Sequence, residues 1–374
     1  MLLLTRSPVA PISRFLCKSI NNNSVRVSKS TSGAMAAERS RSIEQSRASL
    51  RLCNVSSFTT ELLELRSENP LLHVVVIPGN PGVALFYKEF VEAMYERLGG
   101  RASVTGRKRV LCYILVFSGR AHFRNEEGDF ASQINSFIFG AFSLQNWEKG
   151  RLFSLQDQID HKVSFINQEF GDTEVPLYLV SHSIGSYISL EVFRRFPEKV
   201  KYCIGLYPFL SLNKKSSKQI IIGKIAGSGI LSKLLSLVLA MFGILPMWAS
   251  SFLVRTSMGK SWSTSAIEAV CSYLLQYHVM RNVFHMAMTE FQKLAEAPDW
   301  MFMRGKQEKI AFLFGSDDHW GPLSMFEEIS KEVSDVSLSI ENEGHTHGFC
   351  CTKAGSEWVA GHVVSLIEHQ ILPQ

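Results

Sequence analysis

The sequence predicts an α/β fold with a doubly wound, mostly parallel sheet, and three observations carry that reading. Short apolar runs recur along the chain, rich in β-branched residues and lacking the strict alternation of a half-solvated strand. Stretches with apolar residues at helical spacing separate them. The alternation stops once, over residues 209–308, and then resumes, which reads as an apolar helical cap inserted between two strands.

The elements follow in order. Residues 71–77 form an almost wholly apolar run ending at Pro78-Gly79, a strand buried on both faces. Phe86, Phe90, Val91, Met94 and Leu98 share a stripe and predict a helix over residues 83–98. Strands are expected at 110–117, 177–180 and 202–207, with helices at 155–170 and 184–196. After the interruption come a strand at 310–314, a helix at 322–333, a strand at 336–340 and a last helix at 355–372. The organisation is therefore an extension (1–50), a first core part (58–208), the cap (209–308) and a second core part (309–374).

Composition narrows the class. The chain has 374 residues, 46% of them hydrophobic and 20% charged, enough to build a sizeable core. A net charge of +5 without a dense basic patch argues against nucleic acid as a partner. The seven cysteines form no Cys-x-x-Cys pair, which argues against a disulfide scaffold or a cysteine zinc site. Residues 1–37 contain no acid but carry Arg6, Arg14, Lys18, Arg26 and Lys29. Three readings stand: an organelle transit peptide for plastid or mitochondrion, a disordered tail, or a chain whose translation starts at Met35.

The cap contains the most apolar stretch, residues 220–254, and residues 234–254 carry no charge. Pro246, Gly243 and several serines interrupt it. It reads as a buried helix pair, as a helix–Pro–helix element that dips into lipid or lines a lipid cleft, or as a membrane span. Lys214, Lys215, Lys218, Lys224 and Lys233 lie in or just before it, as anionic headgroups would favour.

Chemistry concentrates at three turns. Ser181-His182-Ser183-Ile184-Gly185 lies between an apolar strand and an amphipathic helix, the context of a nucleophile elbow and of the α/β-hydrolase fold. Small residues two before and two after Ser183 let strand and helix pass closely. An acyl-transfer serine needs an oxyanion hole. The N–H of Ile184 supplies one donor, and the Pro78-Gly79-Asn80-Pro81-Gly82 loop offers the N–H of Asn80 as the other; the plainer reading of that loop is a turn. An acid and a base should follow in that order. Asp317 and Asp318 end a strand and compete for the acid. His345 and His347 compete for the base, with His319, His362 and His369 less well placed. Spacing does not choose the pair.

These residues resemble the lipid droplet-associated hydrolases. The likeness rests on Pro78 to Gly82 with Phe86-Tyr87, on Leu155 to Lys162, on the elbow, on Gly315 to Trp320 and on the final His-Gly-Phe, and spans about residues 60–370. It implies Ser183, Asp318 and His347 as the triad. His161 and Lys162 belong to the shared pattern, but their place on a helix before the nucleophile strand reads as structural. Ser181 stands where the family more usually has Gly. The resemblance further implies an ester hydrolase acting on neutral lipid or sterol ester, at lipid droplets and the endoplasmic reticulum. A Ser-His-Asp mechanism needs no metal or organic cofactor. Two rivals remain: a weakly active or non-enzymatic droplet protein that controls lipid storage, and an organelle esterase or thioesterase for a soluble substrate.

Overall fold

The computed structural model describes residues 48–65, 70–100, 110–117, 150–258 and 261–371. The readings of residues 1–37 lie outside the described residues.

Eight strands form one sheet among the described residues: β1 (Ser49–Val55), β2 (Phe58–Leu65), β3 (Leu72–Ile77), β4 (Val110–Phe117), β5 (Leu177–His182), β6 (Val200–Leu206), β7 (Ile310–Gly315) and β8 (Ser337–Glu341). Their spatial order is β1-β2-β4-β3-β5-β6-β7-β8. Neighbours from β4 to β8 pair parallel, while β1–β2 and β2–β4 pair antiparallel. Parallel strands covered on both faces need apolar residues at successive positions. All six residues of β3, of β5 and of β7 are accordingly buried.

Helices cover both faces. On one, α1 (Lys88–Gly100) and α11 (Lys353–Ile371) pack Phe90, Met94, Val359 and Val363 against Val74, Val180 and Ile204. On the other, α2 (Leu155–Phe170), α3 (Ile184–Arg195) and α10 (Leu323–Glu332) pack Ile159, Ile188 and Ile329 with Val75, Leu179 and Phe312. Alternate residues of one strand thus serve opposite cores. The start of α2 is fixed by a capping box: Ser154 accepts from the Asp157 N–H and Asp157 accepts from the Ser154 N–H, worth about 1 kcal/mol.

The sequence does not predict the β1–β2 hairpin, and the sheet begins at Ser49, inside the residues expected to belong to the extension. Its turn is Ser56-Ser57, both at positive φ (50° and 71°). Asn54 Oδ1 accepts from Ser57 N at 2.9 Å, closing a turn that ordinarily announces itself with Asn-Gly or Asp-Gly. Arg51 pairs with the buried Glu64 at 3.2 Å on the facing strand.

Between β6 and β7 the chain is helical: α4 (Ser217–Gly227), α5 (Gly229–Gly243), α6 (Met247–Met258), α7 (Thr264–Ala269), α8 (Tyr277–Lys293) and α9 (Trp300–Arg304). Gly243 ends α5, where a Cβ would collide with the Leu275 carbonyl oxygen. Pro246 then separates α5 from α6. Among the described residues no single helix is long and apolar enough to cross a membrane; α4 and α5 pass that test only together, and they are bent by 97°. The inward residues of α5 are Ser232, Ser236 and Ala240, while Leu234, Met241 and Phe242 are exposed. Arg281 of α8 donates to Ser232 Oγ at 2.8 Å and fastens this small-residue face.

Candidate active site

The sheet reverses its order at β3, which pairs with β4 on one side and β5 on the other. Loops leaving the carboxyl ends of strands at such a reversal diverge, and the crevice between them is where open α/β sheets bind ligands. The loop after β3 carries Asn80, and the turn after β5 carries Ser183.

Ser183 sits at φ 56°, ψ −127°, outside the regions an L-residue favours. Such a conformation costs of order 1–3 kcal/mol and persists only where its surroundings enforce it. Here its N–H donates to Leu206 O at 3.0 Å and its carbonyl accepts from Phe209 N at 3.1 Å. Gly185 allows the first turn of α3 to pass β3: a Cβ there would collide with the carbonyl oxygens of Ile77 and Pro78. Ser181 is accommodated because its hydroxyl donates to Ile204 O at 2.9 Å.

Asp318 follows β7 and is buried, whereas Asp317 beside it is exposed. His347 Nδ1 lies 2.8 Å from Asp318 Oδ2, and the Trp320 N–H donates to Asp318 Oδ1 at 2.9 Å. Burial pushes the Asp318 carboxyl upward, but the His347 hydrogen bond and charge, with the Trp320 and Gly321 amides, draw it below the ordinary carboxylate value. His345 turns away and faces Trp358, ring centroids 6.0 Å apart. His319 packs on Trp320, His362 stacks on Trp358, and His369 is exposed near the end of α11.

The structure therefore brings Asp318 and His347 together, beside the turn that holds Ser183. The ring of His182 lies 4.8 Å from that of His347. No hydrogen bond joins Ser183 Oγ to His347 among the described residues; such contacts commonly tighten only with substrate bound. The oxyanion candidates are also close. A Cβ at Gly79 would stand 2.8 Å from Ser183 Cβ, so this loop lies against the elbow. Neither the Asn80 nor the Ile184 N–H donates to another group among the described residues.

The roles of four side chains here escaped the sequence reading. The Asn80 side chain donates to Val283 O at 3.0 Å, tying the loop to α8. Beneath it Glu290 is 3% exposed, and burial raises its carboxyl to about 8 against the lowering effect of the Asn80 amide. Tyr87 and His182 link to each other at 2.7 Å. His182 lay inside the elbow motif and Tyr87 beside the glycine-rich loop, but nothing in the spacing ties one to the other. Among the described residues no cluster of three or more His, Cys, Asp or Glu is placed to hold a metal ion.

Comparison with known proteins agrees with this architecture. A membrane phospholipase A, described as a bacterial virulence factor, superposes with a TM-score of 0.53 at 14% identity over 90% of each chain. A haloalkane dehalogenase from Bradyrhizobium elkani gives a TM-score of 0.56 at 15% identity, covering 86% of this chain and 99% of that one. At these identities the likeness concerns the fold, which is the α/β-hydrolase fold. The lipid droplet-associated hydrolase of Gallus gallus is 27% identical over 286 residues, 75% of this chain and 80% of its own. That of Dictyostelium discoideum is 24% identical over 306 residues, 78% and 86% of the two chains. The model of the lipid-droplet associated hydrolase family matches residues 70–350, and the chain belongs to that family.

Proposed function

We propose that the protein is a serine ester hydrolase that acts on neutral lipid or sterol ester at a lipid droplet surface. The observation that carries the reading is the 2.8 Å Asp318–His347 pair beside a serine held at positive φ on a strand-to-helix turn. Ser183 Oγ attacks the ester carbonyl while His347 Nε2 takes its proton. Asp318, on Nδ1, fixes the ring and stabilises the imidazolium. The N–H groups of Asn80 and Ile184 hold the tetrahedral oxyanion. Collapse releases the alcohol, which takes the proton from His347, and water then hydrolyses the acyl-enzyme by the same route.

The lipid surface is the natural setting for the α4–α6 insertion. Ile230 is 80% exposed, Trp248 77% and Phe252 64%, and Lys214, Lys218, Lys224 and Lys233 are exposed on the same insertion. Apolar side chains presented together with cations match an interface with anionic headgroups. The same exposed residues favour a second reading, a droplet-coating protein that controls lipid storage without hydrolysis.

Labelling by a fluorophosphonate probe, in the presence of lipid, tests the first reading. Wild type is expected to be labelled and Ser183→Ala not. A folded wild type that takes no label, or a Ser183→Ala protein that labels equally, rejects it. A Ser183→Ala protein that still reaches droplets and changes their size supports the second.

A further inference from the structure

The side chain next to the nucleophile is buried, polar and unused by the chemistry above. His182 is 7% exposed, and both ring nitrogens are engaged. Nε2 lies 2.9 Å from the carbonyl oxygen of His347, and Nδ1 lies 2.7 Å from Tyr87 Oη. Tyr87 Oη in turn accepts from the Gly79 N–H at 3.1 Å. One constraint fixes every direction. A carbonyl can only accept, so Nε2 carries the proton. In a neutral ring Nδ1 is then the acceptor, so the Tyr87 hydroxyl donates to it. The remaining lone pairs of that hydroxyl receive the Gly79 N–H. Burial, with His347 nearby, lowers His182 to about 3 against the raising effects of Asp318 and the His347 carbonyl, so the ring stays neutral at ordinary pH. Burial likewise keeps Tyr87 protonated.

We propose that His182 and Tyr87 are positioning residues that hold the oxyanion loop, the nucleophile turn and the base loop at fixed separations. The role rests on the serine-hydrolase reading above. Gly79 immediately precedes Asn80, His182 immediately precedes Ser183, and the carbonyl belongs to His347 itself. Three hydrogen bonds thus join the three segments from which the reacting groups project. The chain is rooted in rigid structure. Tyr87 is buried in the turn Ala84–Tyr87, and the His182 ring packs edge-on against Phe349 at 5.2 Å. Asp318 fixes the imidazole of His347 from one side, and His182 fixes its backbone from the other. A displacement of about 1 Å among groups of this kind can lower a rate on the order of 100-fold.

The test measures inactivation of the full-length protein by the fluorophosphonate probe, separating the rate at saturating probe (kinact) from the half-saturating concentration (KI). Tyr87→Phe keeps the ring and removes only the hydroxyl; it is expected to lower kinact roughly tenfold, and His182→Leu roughly 100-fold, with KI changed less than about twofold. His182→Gln retains an N–H able to reach the His347 carbonyl and is expected to recover part of the loss. A role confined to packing would move the melting temperature and leave no such order among the variants. Tyr87→Phe and His182→Leu proteins that label at the wild-type rate overturn the proposal, as does a rise in KI at constant kinact. If His182→Leu does not fold, Tyr87→Phe decides alone. A wild type that takes no label fails differently: it removes the serine reading and the positioning role together.

Discussion

The sheet and the α4–α6 insertion use the same apolar residues in opposite ways. In the sheet, Val180, Ile204 and Leu313 are fully buried. In the insertion many large apolar side chains face outward, among them Ile230, Leu234, Met241, Trp248 and Phe252, and Ser232, Ser236 and Ala240 face inward. Burying a Leu or Ile is worth about 1.5–3 kcal/mol, so a helix that leaves several exposed forgoes stabilisation of its own fold. The inward face compensates by close approach and hydrogen bonds: Ser236 Oγ donates to Ser232 O at 2.6 Å, and Arg281 reaches Ser232. What separates the two regions is the side on which the small residues lie. The sheet is organised for internal stability and for the candidate site; contact with an apolar phase is the role proposed for the insertion.

Variants can sharpen or break that division. The largest expected effect is in the sheet region: Asp318→Asn should lower the turnover of a chromogenic ester roughly 10³–10⁴-fold while leaving droplet binding intact. Equal loss of both would mean the two regions are not separable. Gly185→Ala must displace the Ile77 and Pro78 carbonyls or α3, and is expected to cost about 2–4 kcal/mol in denaturant unfolding. A neutral result would show that the elbow has room to relax. On the other side, replacing Ile230, Trp248 and Phe252 by Ser should weaken partition onto triacylglycerol droplets by roughly tenfold per residue, with labelling of Ser183 unchanged. Undiminished partition would shift the contact to another face.

The smallest effect concerns Glu290, which lies beside the loop that carries Asn80. Its carboxyl sits at about 8 in the folded chain against an ordinary 4.5. Between these values the unfolded chain has released the proton that the folded chain keeps. This group's contribution to stability therefore falls as pH rises through that window. Glu290→Gln carries no titrating proton and should melt roughly a few degrees above wild type near pH 8, with the difference shrinking below pH 4.5. Melting curves that stay parallel across the window would place water or an unrecognised partner at Glu290.

The sheet was legible where burial on both faces forces unbroken apolar runs, as in β3 and β7. The β1–β2 hairpin was not, because Glu61 and Glu64 interrupt the apolar run of β2 and Ser56-Ser57 gives no turn signal. At the site, the elbow could be read because Ser183 needs small neighbours on both sides. The candidate acid and base could not be chosen by spacing, since Asp317 and Asp318 are adjacent and His345 and His347 share a loop. What separates them is three-dimensional: Asp318 is buried against His347, and His345 faces Trp358. Orientation also hid the insertion's inverted face, where serines that looked like dilution of an apolar stretch form its packed side.

The two flanks of the turn that holds Ser183 carry unequal mutational tolerance. At position 181 a hydroxymethyl group fits because a carbonyl waits for it, so Ser and Gly can replace one another there at the level of one hydrogen bond. At position 185 no side chain fits, because two backbone carbonyls occupy the space. A randomised library across the turn should therefore return small residues, Ser or Gly, at the first flank and glycine alone at the second.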